Sequence, residues 1–98
     1  MGALHLTPAA EHDLEHIWQT GALNWGAAQA EKYVNALFAG FDLLIEFPDM
    51  ARMRSELAPP VRLHPHKSHV IVYNSREGGI DVIRILHKRQ SISKILVA

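Results

Sequence analysis

The chain lacks cysteine, an excess of either charge sign and any long hydrophobic run. Without cysteine, disulfide bonds and thiolate metal sites are excluded. Ten basic residues balance ten acidic ones, whereas proteins that grip nucleic acid through its phosphates normally carry a clear basic excess. No apolar run approaches the roughly 18 residues of a membrane-spanning helix, and no basic leader precedes an apolar stretch. These absences favour a cytoplasmic protein without a membrane partner.

The length and composition are those of one small globular domain. Ninety-eight residues suffice for a single modest core, so we expect one domain over residues 1–98. Apolar residues make up 48% of the chain and charged residues 20%, which is ordinary for such a domain. A core of this size buries only roughly 60–70% of the surface that the unfolded chain exposes. A stabilising partner would therefore be unsurprising.

The first half of the chain predicts a short strand followed by two helices. Ala3 to Leu6 is the strand, and Thr7 and Pro8 occupy the positions that favour a helix N-cap and first turn. Gly21 is the predicted end of the first helix, whose apolar face includes Trp18 as a core residue. A second helix is expected from about residue 25 to residue 47, because Pro48 disfavours helical geometry in the residue before it. The short link predicts an antiparallel helical hairpin.

The second half predicts three strands joined by tight turns. Short runs rich in Val, Ile and Tyr, bounded by Pro, Lys-Ser and Glu-Gly-Gly, cover residues 61–64, 69–74 and 80–87. Sequential short strands with tight connections form an antiparallel meander. The order of strand, two helices and three strands predicts an α+β domain with the helical hairpin on one face of the sheet.

In the central strands, the residues at odd positions and those at even positions are both largely apolar. Alternate residues of a strand point to opposite faces of the sheet, so this pattern predicts that both faces are covered. The helices cover one face. We expect the other to be covered by the tail residues 92–97, by a partner chain or by both; a strand fully buried in a small core is the alternative. The candidate partner-facing residues are Val72, Val82, Leu86, Ile95 and Leu96.

No pattern of catalytic or metal-ligating residues is apparent. His12 and His16 are four residues apart on the first helix, a spacing that can hold one metal ion. Their helix face is the polar one and no third ligand is close in sequence, so we interpret the pair as solvent-facing. No Ser/His/Asp arrangement has an interpretable spacing. We therefore predict no metal, no cofactor and no catalytic residue.

The best candidate for a binding site is a basic cluster at the end of the last strand. Arg84 lies among apolar neighbours, so its guanidinium needs a partner if it is even partly buried. With Arg62 on a nearby strand, it would hold a phosphate or a partner's carboxylate. The alternative is that both arginines pair with the chain's own Asp81 or Glu77. The candidate residues for binding a target or partner protein are Arg62, Arg84, His87, Lys88 and Arg89.

Motifs along nearly the whole chain resemble the ParE branch of the ParE/RelE toxin superfamily. Members show Leu-x-x-x-Ala, Asp-Leu-x-x-Ile-Trp, Trp-Gly-x-x-Gln-Ala-x-x-Tyr, Leu-x-x-x-Pro, Ser-His-x-Ile/Val-x-Tyr and Ile-x-Arg-Ile/Val-Leu-His. The matching residues here are Leu6, Ala10, Asp13, Leu14, Ile17, Trp18, Trp25, Gly26, Gln29, Ala30, Tyr33, Leu44, Pro48, Ser68, His69, Ile71, Tyr73, Val82, Arg84, Ile85, Leu86 and His87. The chain departs from the family pattern after that histidine, with Lys-Arg-Gln-Ser in place of a basic residue and Met-Asp.

The resemblance implies a toxin of a type II toxin–antitoxin pair. ParE-type members inhibit DNA gyrase, stabilise cleaved DNA and are neutralised by a ParD-like antitoxin with a ribbon-helix-helix portion. Nucleic acid would then be contacted only through gyrase or the antitoxin. RelE-type members are instead ribosome-dependent mRNA endonucleases, and they need a basic surface and a C-terminal Tyr or His. Zero net charge and a tail without tyrosine disfavour the endonuclease alternative. A further alternative is a protein that still binds an antitoxin but has lost its toxicity.

Overall fold

The computed structural model describes residues 3–96, apart from the side chains of Ser93 and Leu96. Within this range the chain forms five strands and three helices. In chain order they are β1 (Ala3–Leu6), α1 (Pro8–Trp25), α2 (Ala27–Glu46), β2 (Met53–Arg54), β3 (Val61–His66), β4 (His69–Arg76), β5 (Gly79–His87) and α3 (Ile92–Leu96).

The strands form one mixed sheet in the order β1-β5-β4-β3-β2. β1 runs parallel to β5, and the remaining neighbours are antiparallel. The predicted α+β class is confirmed, with an N-terminal strand, a helical hairpin and an antiparallel meander. The two-residue β2 and the short α3 were not predicted, because neither has enough residues to show a period.

Capping residues fix the two ends of α1, the first helix of the hairpin. Thr7 is the N-cap of α1, and its side chain accepts a hydrogen bond from the N–H of Ala10. The hairpin turns at Gly26, whose φ of 90° lies in the region that favours glycine. The prediction that Gly21 ends the first helix is wrong, since α1 continues to Trp25. Gly21 instead allows close packing, because a Cβ there would lie 3.2 Å from the Cβ of Ala30 on α2.

Within the described residues the sheet carries a buried hydrophobic cluster on each face. The first cluster joins Leu37, Phe41 and Leu44 of α2 to strand residues such as Ile71 and Tyr73. The second contains Val72 and Leu86 with Leu57 of the loop before β3, and Ile92 and Ile95 of α3 pack against it. Neighbouring residues of β4 therefore point to opposite faces, as the pleat of a strand requires.

The second cluster corrects part of the predicted partner-facing set. Val82 belongs to the first cluster beneath the helices and is fully buried, so the prediction that it faces a partner is wrong. Val72 and Leu86 lie on the opposite face but are also fully buried, because the chain covers them with its own Leu57, Ile92 and Ile95. Ile95 thus covers the sheet itself. The predicted contact of Leu96 falls outside the described side chains, and Val97 of the predicted covering tail lies outside the described residues.

Several large apolar side chains stay exposed around the hairpin. Trp18 is 40% exposed, which overturns the prediction that it is a core residue, and Trp25 is 75% exposed at the hairpin tip. Leu14 and Ile17 form the core-facing side of α1 instead. Within residues 3–96, no helix has the length and apolar character needed to cross a membrane.

Two glycine-to-alanine substitutions should change the stability in opposite directions. A Cβ at Gly79 would overlap the backbone of Ala3, its partner in the parallel β1–β5 pair. We expect Gly79→Ala to lower the free energy of unfolding by about 1–3 kcal/mol through this clash. A Cβ at Gly40 in α2 would have its nearest neighbouring atoms 3.6 Å away, which is ordinary contact. Gly40→Ala should therefore raise the free energy of unfolding by about 0.5–1 kcal/mol, because alanine has the higher helix propensity. Urea unfolding measures both, and equal effects would contradict the β1–β5 register.

Candidate functional site

The edge of β5 changes its hydrogen-bonding partner where β1 ends. β1 pairs with β5 only as far as the register Leu6–Val82. Thr7 then continues the contact, since its N–H donates to the carbonyl of Val82 at 3.1 Å and its hydroxyl donates to the carbonyl of Ile83 at 2.6 Å. The residue that caps α1 therefore also attaches the helix to the edge of the sheet.

Asp13 on α1 occupies the next part of this edge. Its carboxylate accepts hydrogen bonds from Nε and Nη2 of Arg84 at 2.8 and 3.0 Å, and from the N–H of Ile85 at 2.9 Å. Asp13 is 12% exposed and Arg84 29%. The hydrogen bond to Asp13 raises the pKa of Arg84 above its ordinary value, against the opposing effect of burial. Such a bidentate charged pair is among the stronger polar contacts in proteins.

The Asp13 contact decides between the two interpretations of Arg84. The guanidinium is held by a residue of its own chain, as the internal-pairing alternative requires. The partner is Asp13, however, and neither Asp81 nor Glu77, since Asp81 pairs with Arg76 at 2.8 Å and with His5 at 3.5 Å. Nη1 is the part of the Arg84 guanidinium that Asp13 does not engage.

Arg62 is held at a different place, so the predicted convergence of the two arginines is wrong. Its Nη2 lies 3.0 Å from the carboxylate of Asp49, and its Nη1 donates to the carbonyl of Ala51. Both acceptors belong to the loop between α2 and β2. β4 separates β3 from β5 in the sheet, and the Arg62 side chain is only 16% exposed. Arg62 therefore attaches this loop to the sheet.

The other predicted site residues form a turn after β5. His87 is partly buried, whereas Lys88 and Arg89 are exposed. The N–H of His87 donates to Oε1 of Gln90 at 2.8 Å, and Nδ1 of His87 accepts from the N–H of Arg89 at 3.1 Å. A neutral His87 therefore carries its proton on Nε2, because a nitrogen that accepts a hydrogen bond is unprotonated. The turn presents one oriented imidazole and two cations.

His87 opens into a groove between the helical hairpin and the ends of β4 and β5. Tyr33 on α2 contacts His69 on β4, with its hydroxyl 2.7 Å from Nδ1, and the rings of His69 and His87 are 5.3 Å apart. Burial is the main cause that lowers the pKa of His69, and the nearby His87 and His66 add to it. Burial raises the pKa of Tyr33. Both groups are therefore neutral near pH 7.

The structure gives no geometry for a bound metal ion in its described part. Within residues 3–96, no three His, Asp or Glu side chains are placed to hold one. His12 and His16 are both exposed on α1, and they border the groove.

The functional residues that sequence reasoning missed are Asp13, Tyr33 and His69. Each stands in a motif of the resemblance, but no role was assigned to it. The available signal for Asp13 was a carboxylate next to the apolar face of α1, together with an arginine in a strand that required a partner. For Tyr33 and His69 the sequence held no signal of proximity, because 36 residues separate them.

Comparisons with known proteins place the chain in one family. The family model described as ParE toxin of type II toxin-antitoxin system, parDE, matches residues 4–92, and the chain belongs to this family. It is 37% identical over 92 residues to Toxin ParE1 of Mycobacterium tuberculosis (strain CDC 1551 / Oshkosh), covering 93% of this chain and 94% of that protein. It is 33% identical over 93 residues to Toxin ParE of Escherichia coli, covering 94% and 90%.

A solved structure shares the fold. A chain of the chromosomal ParDE TA system from P. aeruginosa superposes with a TM-score of 0.75 at 21% sequence identity, covering 89% of this chain and 96% of that chain. This likeness shows the fold alone; the family match and the relatives of higher identity show a ParE toxin of a ParDE toxin–antitoxin system.

Removing the Asp13 carboxylate should destabilise the fold more than an ordinary surface substitution. Asp13→Ala leaves Arg84 and the N–H of Ile85 without their acceptor, so we expect the free energy of unfolding to fall by about 2–4 kcal/mol. A double-mutant cycle with Arg84→Ala should give a coupling of about 1–3 kcal/mol. Chemical denaturation measures all four proteins, and Glu15→Ala on the exposed side of α1 is the control. Additive effects would show that the pair contributes nothing to stability.

Proposed function

We propose that this toxin arrests growth in the cytoplasm by inhibiting DNA gyrase, and that a ParD-like antitoxin neutralises it. The observation that carries the proposal is the family match over residues 4–92, joined by relatives named as ParE toxins along more than nine-tenths of the chain. Gyrase and the antitoxin are then its partners, and it meets nucleic acid only through them. It acts by binding and performs no catalytic step of its own.

The proposed contact region is the turn after β5. Arg62 and Arg84 have carboxylate partners within the chain, whereas Lys88 and Arg89 are exposed and have no carboxylate partner among residues 3–96. His87 adds a fixed N–H donor beside them. Exposed cations on a rigid turn suit an acidic protein surface, because long-range attraction accelerates encounter with such a partner. This turn is therefore the surface that the antitoxin would mask.

The histidine pair keeps mRNA cleavage as a second candidate function. His69 and His87 lie beside each other in an open groove, and paired imidazoles are able to move protons during phosphodiester cleavage. Zero net charge opposes the RNA binding that such cleavage needs. Primer extension on translated messages distinguishes the two: discrete cuts after induction would support the nuclease. Harmless overexpression without antitoxin would instead indicate an antitoxin-binding relic.

Neutralising the two exposed cations should weaken gyrase inhibition. We expect the wild-type toxin to abolish supercoiling of relaxed plasmid at micromolar concentration, and the double variant Lys88→Ala/Arg89→Ala to need about tenfold more protein. The loss corresponds to about 1.4 kcal/mol of binding free energy. Arg52→Ala, which removes an exposed cation of the loop between α2 and β2, is the matched control and should inhibit like the wild type. Full gyrase activity with folded wild-type toxin would refute the proposal.

The affinity for the antitoxin should depend on the exposed Arg89 but not on Arg62, which is held by its own chain. Arg89→Ala should weaken binding of a ParD-like antitoxin by about 0.5–1.5 kcal/mol, more at low salt than at high salt, because the contact is exposed. Arg62→Ala should destabilise the toxin but leave the affinity unchanged, since its guanidinium is occupied by Asp49 and Ala51. Calorimetry gives the affinity and thermal unfolding the stability. A loss of affinity in Arg62→Ala alone would reverse the assignment.

A further inference from the structure

Three histidines form a row across neighbouring strands at one end of the sheet. In the strand register, His66 of β3 lies opposite His69 of β4, and His69 lies opposite His87 of β5. Residues directly opposite each other on neighbouring strands place their side chains on the same face, with Cβ atoms roughly 4.5–5.5 Å apart. The rings of His69 and His87 are in edge contact, with centroids 5.3 Å apart. A charge on one imidazole of this histidine row therefore acts directly on the next.

Tyr33 of α2 joins the histidine row to the helical hairpin. Its ring makes edge contacts with the rings of His66 and His69, whose centroids lie 5.8 and 5.5 Å away. Its hydroxyl lies 2.7 Å from Nδ1 of His69 and 3.4 Å from the carbonyl oxygen of His66. We assign the hydroxyl proton to the shorter contact, because 3.4 Å exceeds the usual length of a hydrogen bond from a hydroxyl. The bond therefore requires that Nδ1 of His69 carries no proton.

The other two histidines of the row are also held as uncharged rings. Nδ1 of His87 accepts a hydrogen bond from the N–H of Arg89 at 3.1 Å, which requires an unprotonated nitrogen. Nε2 of His66 is buried and has no hydrogen-bond partner among the described residues. An imidazolium carries a proton on both nitrogens, so charging His66 would create a buried donor without an acceptor, which costs free energy.

The charges around the histidine row also oppose its protonation. The other titratable and charged groups around it, within residues 3–96, are His12, Asp13 and His16 of α1, Tyr33 of α2, His64 of β3, Lys67 of the β3–β4 turn, Arg84 of β5, and Lys88 and Arg89 after β5. The single carboxylate in this set, Asp13, is bound to Arg84, and its effect on the pKa of His69 is the smallest of the causes. Burial is the largest cause that lowers the pKa of His66 and of His69.

We propose that the histidine row and Tyr33 form a pH-sensitive contact, in which proton uptake by the row releases Tyr33 and lets the first half of α2 move away from the ends of β3 and β4. A proton on Nδ1 of His69 turns this acceptor into a donor, which leaves the Tyr33 hydroxyl only the acceptor at 3.4 Å. Like charges directly opposite each other on neighbouring strands then repel. Leu37, Phe41 and Leu44 keep the second half of α2 on the sheet. The inference does not depend on gyrase or on an antitoxin.

The stability of the toxin should fall as the pH decreases. In the folded protein, burial and the neighbouring groups hold the pKa of His66 and of His69 below the ordinary histidine value of about 6.5, which the unfolded chain keeps. The unfolded chain therefore binds more protons in mild acid. The stability that these two groups contribute is fully present above pH 6.5 and is lost as the pH falls through their lowered pKa values. Each extra proton bound on unfolding changes the unfolding constant about tenfold per pH unit.

Urea unfolding of the full-length toxin at pH 7.5 and pH 5.5 tests the inference. We expect the unfolding constant to be about tenfold larger at pH 5.5, as the uptake of one proton over one pH unit requires. His69→Gln should remove most of this increase, because glutamine stays uncharged. Tyr33→Phe should reduce the increase, since the loss of the hydroxyl lets the pKa of His69 return toward its ordinary value. The control His16→Gln removes an exposed histidine of α1 and should retain the full increase. An undiminished increase in His69→Gln would overturn the inference.

Nuclear magnetic resonance of the wild-type protein gives a second test, which stands even if the variants do not fold. At pH 7.5 the nitrogen shifts should show an unprotonated Nδ1 on both His69 and His87. At pH 5.5, after correction for the intrinsic exchange rate, amide hydrogens of the first half of α2 should exchange faster relative to those of its second half. A protonated Nδ1 on His69 at pH 7.5, an ordinary pKa of His69, or no difference between the two halves of α2 would each refute the pH-sensitive contact. Gyrase inhibition at pH 7.5 is unaffected by these outcomes.

Discussion

The fold depends on how the open edge of β5 is closed. β1 covers only the first part of this edge, and an unpaired strand edge exposes hydrogen-bonding groups that need partners. Thr7 and Asp13 take over from β1, so α1 is attached to the sheet by polar contacts as well as by its apolar face. The ion pair with Arg84 strengthens the same attachment. The position of the hairpin, and with it one wall of the groove, follows from these contacts.

Much of the architecture follows from local sequence signals. Thr7 and Pro8 locate the start of α1, and the change from helical to alternating periodicity separates the hairpin from the meander. The helix boundary near Gly21 was misplaced because glycine in a sequence signals a stop, whereas here the missing side chain allows two helices to approach. The turn between the two helices lies at Gly26, which has a positive φ. Local propensity does not distinguish these two uses of glycine.

The candidate site was less predictable because its members meet through tertiary structure. The sequence indicated that Arg84 required a partner, but the 71 residues that separate it from Asp13 concealed which one. Apolar residues on both strand faces correctly indicated a covered second face. They did not show that Leu57, Ile92 and Ile95 cover it, since a chain's own loop and a partner's side chains leave the same pattern in the strand. Val82 was assigned to the wrong face, because the irregularity in the β4–β5 register after Val72 changes the alternation.

The place of β5 has a consequence for how the protein forms during synthesis. β5 lies between β1 and β4, yet it is the last strand that the ribosome makes within the described chain. Until β5 has been made, β1 has no strand to pair with and Asp13 has no Arg84 to bind, although both were made early. Such distant pairings form late, since long loops must close first. The wall of the groove that α1 forms is therefore fixed in place only after β5 has been made, although α1 itself is made early.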